Sequence, residues 1–499
     1  MTLFRHWYVR WILSGLLLGI GFVFPHLWIL GIGGGALFLY LLQQEATLSK
    51  KLIGAVTSWT IKAMLSVWFY WNTYPIEWLP LDIGQIQILL IFFTWFMTAL
   101  CLGSGALFLV GVVWLLKKKT DIPHWSYYIL IYPLLWIISE SLGSLAFSIF
   151  FYGPGGTINT SFSFGYVGYL LAQHEMLLQS ARLAGVYGLG FLFVCIVGVL
   201  LWRMEREKKI WRVGLYLLIF LYGSSYFSIG HSEILDEGNN QKVITVDTKI
   251  SSRNTTKEGQ KEVNETLSEA VSAALAEEPE YVILPEDSRY FNQSLAASKI
   301  KNQFQLQYKN PKVVLVDSSR VRYDGNAIQQ AFVFNGINEE TERFHKRYLV
   351  PQGEFFSSIY SYILKRVGYE DSLAYLSGDM SYRIGPLISQ SQAAANVPGI
   401  LFCFESFAPN GVRLLTKERG DMPFVAHIAS HAWFHEPHIL WSQMETMMRV
   451  QAVWNQQYIV TAGNMVSGKF YTPNGGVFDM EVVNKGDQWE IKQAYIPKR

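Results

Sequence analysis

The 499-residue chain predicts two architectures in series: a multi-span α-helical membrane domain over 1–230 and an α/β layered domain over 231–499. Three observations carry this. Residues 1 to about 230 form long apolar runs separated by short polar patches, whereas residues after about 240 have the mixed composition of a globular domain. Several of the early runs approach the ~20 apolar residues that a helix needs to cross a bilayer. In the later part, short apolar strand patterns alternate with helical spacing, which indicates a layered α/β domain.

Composition narrows the function. A formal net charge of +2 argues against a nucleic-acid surface. The three cysteines, Cys101, Cys195 and Cys403, make no disulfide framework. Cys101 and Cys195 sit in apolar runs and read as core; Cys403 is the only cysteine of the second domain. Arg5 and Arg10 precede an apolar stretch without a small-residue cleavage site, so the N-terminus does not read as a cleaved signal.

Seven spans are expected, near 8–24, 26–43, 52–71, 83–115, 125–149, 183–202 and 211–230. The first two flank Pro25 and suit a tight hairpin; the fourth is long enough to break at Gly103-Ser-Gly105. Basic residues cluster on alternate connections: Arg5 and Arg10, Lys50 and Lys51, Lys117 to Lys119, then Arg203 to Arg212. By the positive-inside rule the N-terminus lies inside and, after seven crossings, the second domain lies outside the cytoplasm. Glu140, in Trp136-Ile-Ile-Ser-Glu140, reads either as a functional carboxylate within the membrane or as an interfacial residue. The connection 150–175, rich in Gly, Ser, Phe and Tyr, suits a half-inserted loop or a simple turn.

In the second domain the expected strands are Lys242 onward, Tyr281 to Leu284, Lys312 to Asp317, Ala327 to Phe334, Phe344 to Val350, Ile400 to Phe402, Phe424 to Ile428 and Tyr458 to Ala462. Helices are expected over 256–277, up to about 308, over 354–366 and over 437–455. Three strand ends then stand out, at Glu286, Lys346 and Cys403. Together these residue types equip acyl transfer. A glutamate takes the thiol proton, the thiolate forms a thioester, and an ammonium lowers the thiol pKa and steadies an oxyanion. Singly, each has a plainer reading as a helix cap, a solvated lysine or a core thiol.

With its flanks, the trio resembles the nitrilase (carbon–nitrogen hydrolase) superfamily, and within it the bacterial apolipoprotein N-acyltransferases. Lys346 with Leu349-Val-Pro-Gln-Gly-Glu354, Ala432-Trp433-Phe434, Arg449 and Asn464 carry the match in the second domain. Phe24-Pro25, Trp28, Pro133, Trp136, Glu140, Gln179 and Gly185-Val-Tyr-Gly188 carry it in the first. The resemblance implies a nitrilase-like αββα sandwich. It implies a reaction in which a phospholipid acyl chain passes through a cysteine thioester to the α-amine of a lipoprotein's diacylglyceryl-cysteine, in ping-pong fashion. It also implies a site in the bacterial cytoplasmic membrane facing outward. By position, Glu286 is the base, Lys346 the oxyanion cation and Cys403 the nucleophile. Glu354 and Glu405 correspond to supporting carboxylates, and Phe404, Trp433, Phe434, Asn464 and Glu140 are candidate substrate contacts. No cofactor is implied.

The sequence departs from the family pattern in places. A further span usually follows the nitrilase-like domain, but here the sequence stops at Ile496-Pro-Lys-Arg499 without an apolar run. Phe404 stands where tyrosine is commoner, Ser430-His431 where Asn-Asp commonly precedes Ala-Trp-Phe, and Trp454 where a glutamate is expected. His427, His431, His435 and His438 with Glu436 form a dense cluster, but Pro437 interrupts any shared helical face, so no metal is expected and they read as solvated loop histidines. The apolar residues of 355–390, from Phe355 to Leu364, suit an interfacial lid or ordinary core. Two other functions stay open at this level: a membrane-tethered amidase using the same trio, and a non-catalytic scaffold.

Overall fold

A computed structural model describes residues 7–44, 46–77, 84–119, 123–206, 240–251, 257–291, 313–336, 340–366, 368, 381–386, 390 and 393–498. The expected span at 211–230 and most of the expected helix up to 308 lie outside these residues.

Among the described residues, four segments are long and apolar enough to cross a membrane: Pro25–Gln43, Gly84–Lys118, Tyr127–Phe150 and Ala181–Met204. Helices α1 (Trp7–Val23) and α2 (Trp28–Gln43) form the expected hairpin, with Pro25 opening the short turn between them. Helix α3 covers Leu48–Ser66; the remainder of that expected span winds more tightly over Trp68–Thr73. The fourth span breaks at Gly105 into α4 (Gly84–Ser104) and α5 (Ala106–Lys119). The reason is contact: a side chain at Gly105 would collide with the Ser139 carbonyl, so only glycine allows this approach. Helix α6 (Tyr132–Phe150) follows a widened π-type turn over Tyr127–Ile131, and Pro133 at its start lacks the amide that would tighten it. Helix α7 (Ala181–Arg206) is kinked at Ala184 and Gly185, where Gly185 takes φ +58°. The Trp454 ring occupies the place where a Cβ of Gly185 would stand.

The second domain is one hydrogen-bonded network folded into two leaves. The first runs β11 (Glu481–Lys485), β12 (Trp489–Pro497), β1 (Asn240–Thr248), β2 (Tyr281–Ile283), β3 (Val314–Tyr323), β4 (Asn326–Asn335), β5 (Glu340–His345). The second runs β6 (Gly399–Phe402), β7 (Val425–Ser430), β8 (Ile459–Asn464), β9 (Lys469–Tyr471), β10 (Val477–Asp479). A single pairing, Thr248 with Asn464, joins β1 to β8. Alternating strand residues fill the space between the leaves: Val243, Ile283, Val316 and Val333 from one, Ile400, Phe402, Ile428 and Ala462 from the other. Each of the larger of these side chains contributes roughly 1.5–3 kcal/mol on burial. Helix α8 (Lys257–Ala276) lays Ala270, Val271 and Ala274 on the outer face of the first leaf. Helices α10 (Gly411–Arg419) and α11 (His438–Asn455) cover the outer face of the second with Val412, Leu415, Met444 and Met448. The order is therefore helix, sheet, sheet, helix, the αββα sandwich.

Two expectations need correction, and between an interfacial lid and core the apolar residues around Tyr360 take core. The strand expected over Phe344 to Val350 ends at His345, and the chain then turns through Lys346. The connection 150–175 is more than a simple turn: residues 161–172 are buried between the two halves, while Tyr152 and Ile158 are exposed. Helix α9 (Ser358–Arg366) and its flank pack on the membrane half, where the Tyr360 hydroxyl donates to Leu90 O at 3.2 Å and meets Thr94.

Candidate active site

The three strand ends converge. Glu286 lies in the turn after β2, Lys346 directly after β5, and Cys403 opens the turn Cys403–Phe407 after β6. Lys346 Nζ lies 2.9 Å from Glu286 Oε1 and 2.6 Å from Glu354 Oε1. Glu354 Oε2 accepts from Val350 N at 2.8 Å, which ties the lysine segment into a loop. Cys403 Sγ lies 3.8 Å from Ser430 O. All four side chains are buried and line one cavity.

Burial sets their protonation. Desolvation pushes the Cys403 thiol up to about 12, with nearby Glu286 adding and Lys346 opposing, so the resting group is a neutral thiol. Desolvation also raises Glu286 to about 7 against the pull of Lys346, which leaves a carboxylate able to exchange a proton near neutrality. Burial alone would lower Lys346, but Glu286 and Glu354 outweigh it and keep the ammonium charged. A neutral thiol, a carboxylate near neutrality and a fixed ammonium thus share one buried space, the pattern expected of sites tuned for proton transfer.

Glu405 faces away from the cavity. It accepts from Arg347 N and, at 3.1 Å, from Phe402 N, and so staples the lysine segment to the cysteine turn. Asn464 holds the junction of the two leaves: its Oδ1 accepts from Thr248 Oγ1 and Ile250 N, and its Nδ2 donates to Ile250 O, each at 2.9 Å. Phe404, Trp433 and Phe434 line the cavity, with the Trp433 ring against Gly353 and Phe434 edge-on to Phe69 at 5.9 Å.

Glu140 is not on the cavity wall. It is buried among the membrane helices, 2.7 Å from Lys62 Nζ, and also accepts from Val167 N at 3.1 Å. Lys62 in turn lies 4.4 Å over the Trp59 ring. The loop carrying Val167 also supplies Phe162 and Phe164 to the cavity, and Ser163 Oγ donates to Phe407 O at 2.6 Å, at the end of the cysteine turn. The first half thus walls the site: Phe69, Leu90, Phe147, Phe151, Phe162 and Phe164 face the chamber that holds Cys403.

Two histidines also depart from expectation. His427 and His431 are buried, not solvated; desolvation lowers them to about 4 and about 3, so both are neutral. His435 and His438 are exposed. Trp441 Nε1 donates to His431 Nδ1 at 3.0 Å, and His431 lines the cavity. Lys62, Gln329, Gln352 and His431 are the residues that sequence reasoning passed over or misplaced.

Comparison with known proteins gives the context. The family model "Apolipoprotein N-acyltransferase N-terminal domain" matches residues 14–199. The chain is 22% identical over 287 residues to "Apolipoprotein N-acyltransferase 1" of Leptospira interrogans serogroup Icterohaemorrhagiae serovar Lai (strain 56601), covering 52% of this chain and 50% of the relative. It is 25% identical over 348 residues to "Apolipoprotein N-acyltransferase" of Geobacter metallireducens (strain ATCC 53774 / DSM 7210 / GS-15), covering 67% and 62%. The aligned part spans about half to three-fifths of the length of these curated relatives. Among solved structures, a carbon-nitrogen hydrolase from Helicobacter pylori G27 aligns with 51% of this chain and 89% of its own, at 13% identity and a TM-score of 0.34. The family model over residues 14–199 and these relatives make the chain similar to apolipoprotein N-acyltransferases in both of its halves.

Proposed function

We propose that the protein is a phospholipid-dependent N-acyltransferase acting on diacylglyceryl lipoproteins, with Cys403 as nucleophile, Glu286 as base and Lys346 as oxyanion partner. The observation that carries this is the trio's setting: a nitrilase-type Glu-Lys-Cys constellation in a chamber walled largely by aromatic and aliphatic residues of the membrane half. Such a wall suits an acyl chain and has no use for a small polar amide.

In the first half-reaction, Glu286 takes the thiol proton as Cys403 Sγ attacks an acyl ester carbonyl. The Lys346 ammonium offsets the charge on the carbonyl oxygen. Collapse breaks the ester C–O bond; Glu286 returns the proton to the departing glycerol oxygen, and a lysophospholipid leaves. In the second, the lipoprotein α-amine attacks the thioester, its proton passes to Glu286 and then to the Cys403 sulfur, and the amide product leaves. Exclusion of water by the aromatic wall favours aminolysis over hydrolysis. Glu354 positions Lys346, and Glu405 fixes the spacing between the lysine and cysteine segments. The alternation of basic connections supports a cytoplasmic-membrane enzyme with its catalytic domain on the outer face.

Intact-mass analysis of protein purified with phospholipid tests the proposal. The expected result is a hydroxylamine-labile acyl adduct on Cys403, absent from Cys403→Ala. No adduct with any phospholipid would sink the acyltransferase reading, and ammonia release from small amides would favour a tethered amidase. A reporter fused after Arg499 should be active outside the cytoplasm.

A further inference from the structure

Three polar side chains on the cavity wall have unspent hydrogen-bonding capacity. Gln329, on β4 and 2% exposed, has no partner for either its Oε1 or its Nε2 among the described residues. Gln352 is in the same condition: both amide atoms are buried and unpaired, on a backbone held at φ +66°. His431 is 1% exposed, and its Nε2 is unpaired. Its tautomer follows from Trp441. The indole N–H can only donate, so His431 Nδ1 is the acceptor and Nε2 of the neutral ring carries the hydrogen. Buried polar groups are nearly always satisfied, and three exceptions around one cavity call for a ligand.

The chemistry of the three groups selects that ligand. All are uncharged. The described lining residues include one cation, Lys346, already in contact with two carboxylates, and Asp287 is held by Arg289 at 2.6 Å. A phosphate would find no free cation there. The wall offers N–H donors from all three residues and, in addition, two amide oxygens that need donors. The ester and phosphate groups of a phospholipid bring only acceptors, and an ethanolamine headgroup brings its donors as a cation, for which this neutral wall has no free carboxylate among the described residues. A peptide unit brings both a C=O and an N–H.

We infer that Gln329, Gln352 and His431 form a neutral subsite that grips the peptide backbone next to the attacking α-amine, and so serves the second half-reaction. The inference rests on the acyltransferase reading. In it these are binding residues that orient the acceptor while Cys403 holds the acyl chain.

The test separates the half-reactions. Phosphatidylethanolamine vesicles supply the acyl group, and Cys403 acylation is followed by intact mass. Transfer is then measured to a synthetic diacylglyceryl-cysteinyl tetrapeptide and to its depsi analogue, in which an ester oxygen replaces the first peptide N–H. With the unaltered protein, the depsi acceptor should show a KM about tenfold higher at similar kcat, the mark of lost uniform binding. Gln329→Met/Gln352→Met should raise the KM of the amide acceptor about tenfold, shrink discrimination to within about twofold, and lower transfer more than acylation. His431→Phe should likewise depress transfer, and His431→Gln should restore part of it. Equal KM values for the two acceptors with the unaltered protein would overturn the subsite, a comparison that needs no variant to fold. So would an equal loss of acylation and transfer in the glutamine variants. Absence of any Cys403 adduct in the unaltered protein would instead overturn the acyltransferase reading, and the subsite with it.

Discussion

The ion pair between Lys62 and Glu140 supports a quantitative prediction. Both side chains are at most 5% exposed and their charged atoms lie 2.7 Å apart among membrane helices. Removing one member of a buried pair typically costs about 3–5 kcal/mol, because the survivor is an uncompensated charge. The two survivors here are not equivalent. After Lys62→Met, Glu140 retains one neutral donor, Val167 N–H, so the cost should fall near the top of that range, about 4–5 kcal/mol. After Glu140→Gln, an oxygen remains for Val167 and the ammonium keeps the face of Trp59, a contact worth up to about 2 kcal/mol when desolvated; the cost should be about 2–3 kcal/mol. The double variant Lys62→Met/Glu140→Gln has no stranded charge and should cost about 1–2 kcal/mol. The double-mutant cycle therefore predicts a coupling of about 4–7 kcal/mol. Mixed-micelle unfolding followed by tryptophan fluorescence measures it, and a coupling below about 1 kcal/mol would refute the argument. Because Val167 belongs to the loop that supplies Phe162 and Phe164, Cys403 acylation should also fall in Lys62→Met and recover in the double variant.

Other outcomes follow from the site. The proposed base Glu286 would act when ionised, and burial raises it to about 7, so Cys403 alkylation by iodoacetamide should climb with pH through 6–8 and flatten above; Glu286→Gln should lose that inflection. Lys346→Met leaves Glu286 and Glu354 without their shared cation and should lower acylation by at least about a hundredfold, the scale for losing one oxyanion donor. Phe162 stacks on Phe147 at 4.2 Å, and Phe162→Ala should widen the chamber and shift donor preference toward longer acyl chains in a competition assay read by adduct mass. Gly105→Ala has no room against the Ser139 carbonyl and should destabilise the protein by about 1–3 kcal/mol, the usual range for overpacking, seen as a lower thermal midpoint in detergent.

How far the sequence was legible depends on the range of the interaction. Glu286 and Cys403 stood out because each follows a short apolar run, a local signal; Lys346 follows the mixed stretch Glu340–His345 and stood out through its flank Leu349-Val-Pro-Gln-Gly-Glu354. Lys62 did not, since one lysine inside an apolar run gives no sign of a partner 78 residues later. The C-terminal strands were missed as well. β12 pairs with β1 from Asn240 to Thr248, and only the folded chain brings those segments together. His427 and His431 were misjudged because their neighbours Glu436 and Pro437 look like a solvated loop; β7 carries His427 into the interior, and Trp441 of α11 covers His431. Unpaired atoms such as those of Gln329 have no sequence signature, since being without a partner is a property of the surroundings.

The contact of Ser163 with Phe407 has an evolutionary side. A tether can be exchanged for another tether, but a wall cannot. Residues on one half that face residues on the other constrain each other's variation, so a change in the bulk of Phe162 or Phe164 narrows what Phe404 and Phe407 can become. Recombination between distant homologues that exchanged one half for another would join surfaces that had never been selected together. The two halves should therefore descend as a single heritable unit, and their pairwise co-variation should be concentrated along the aromatic seam between them.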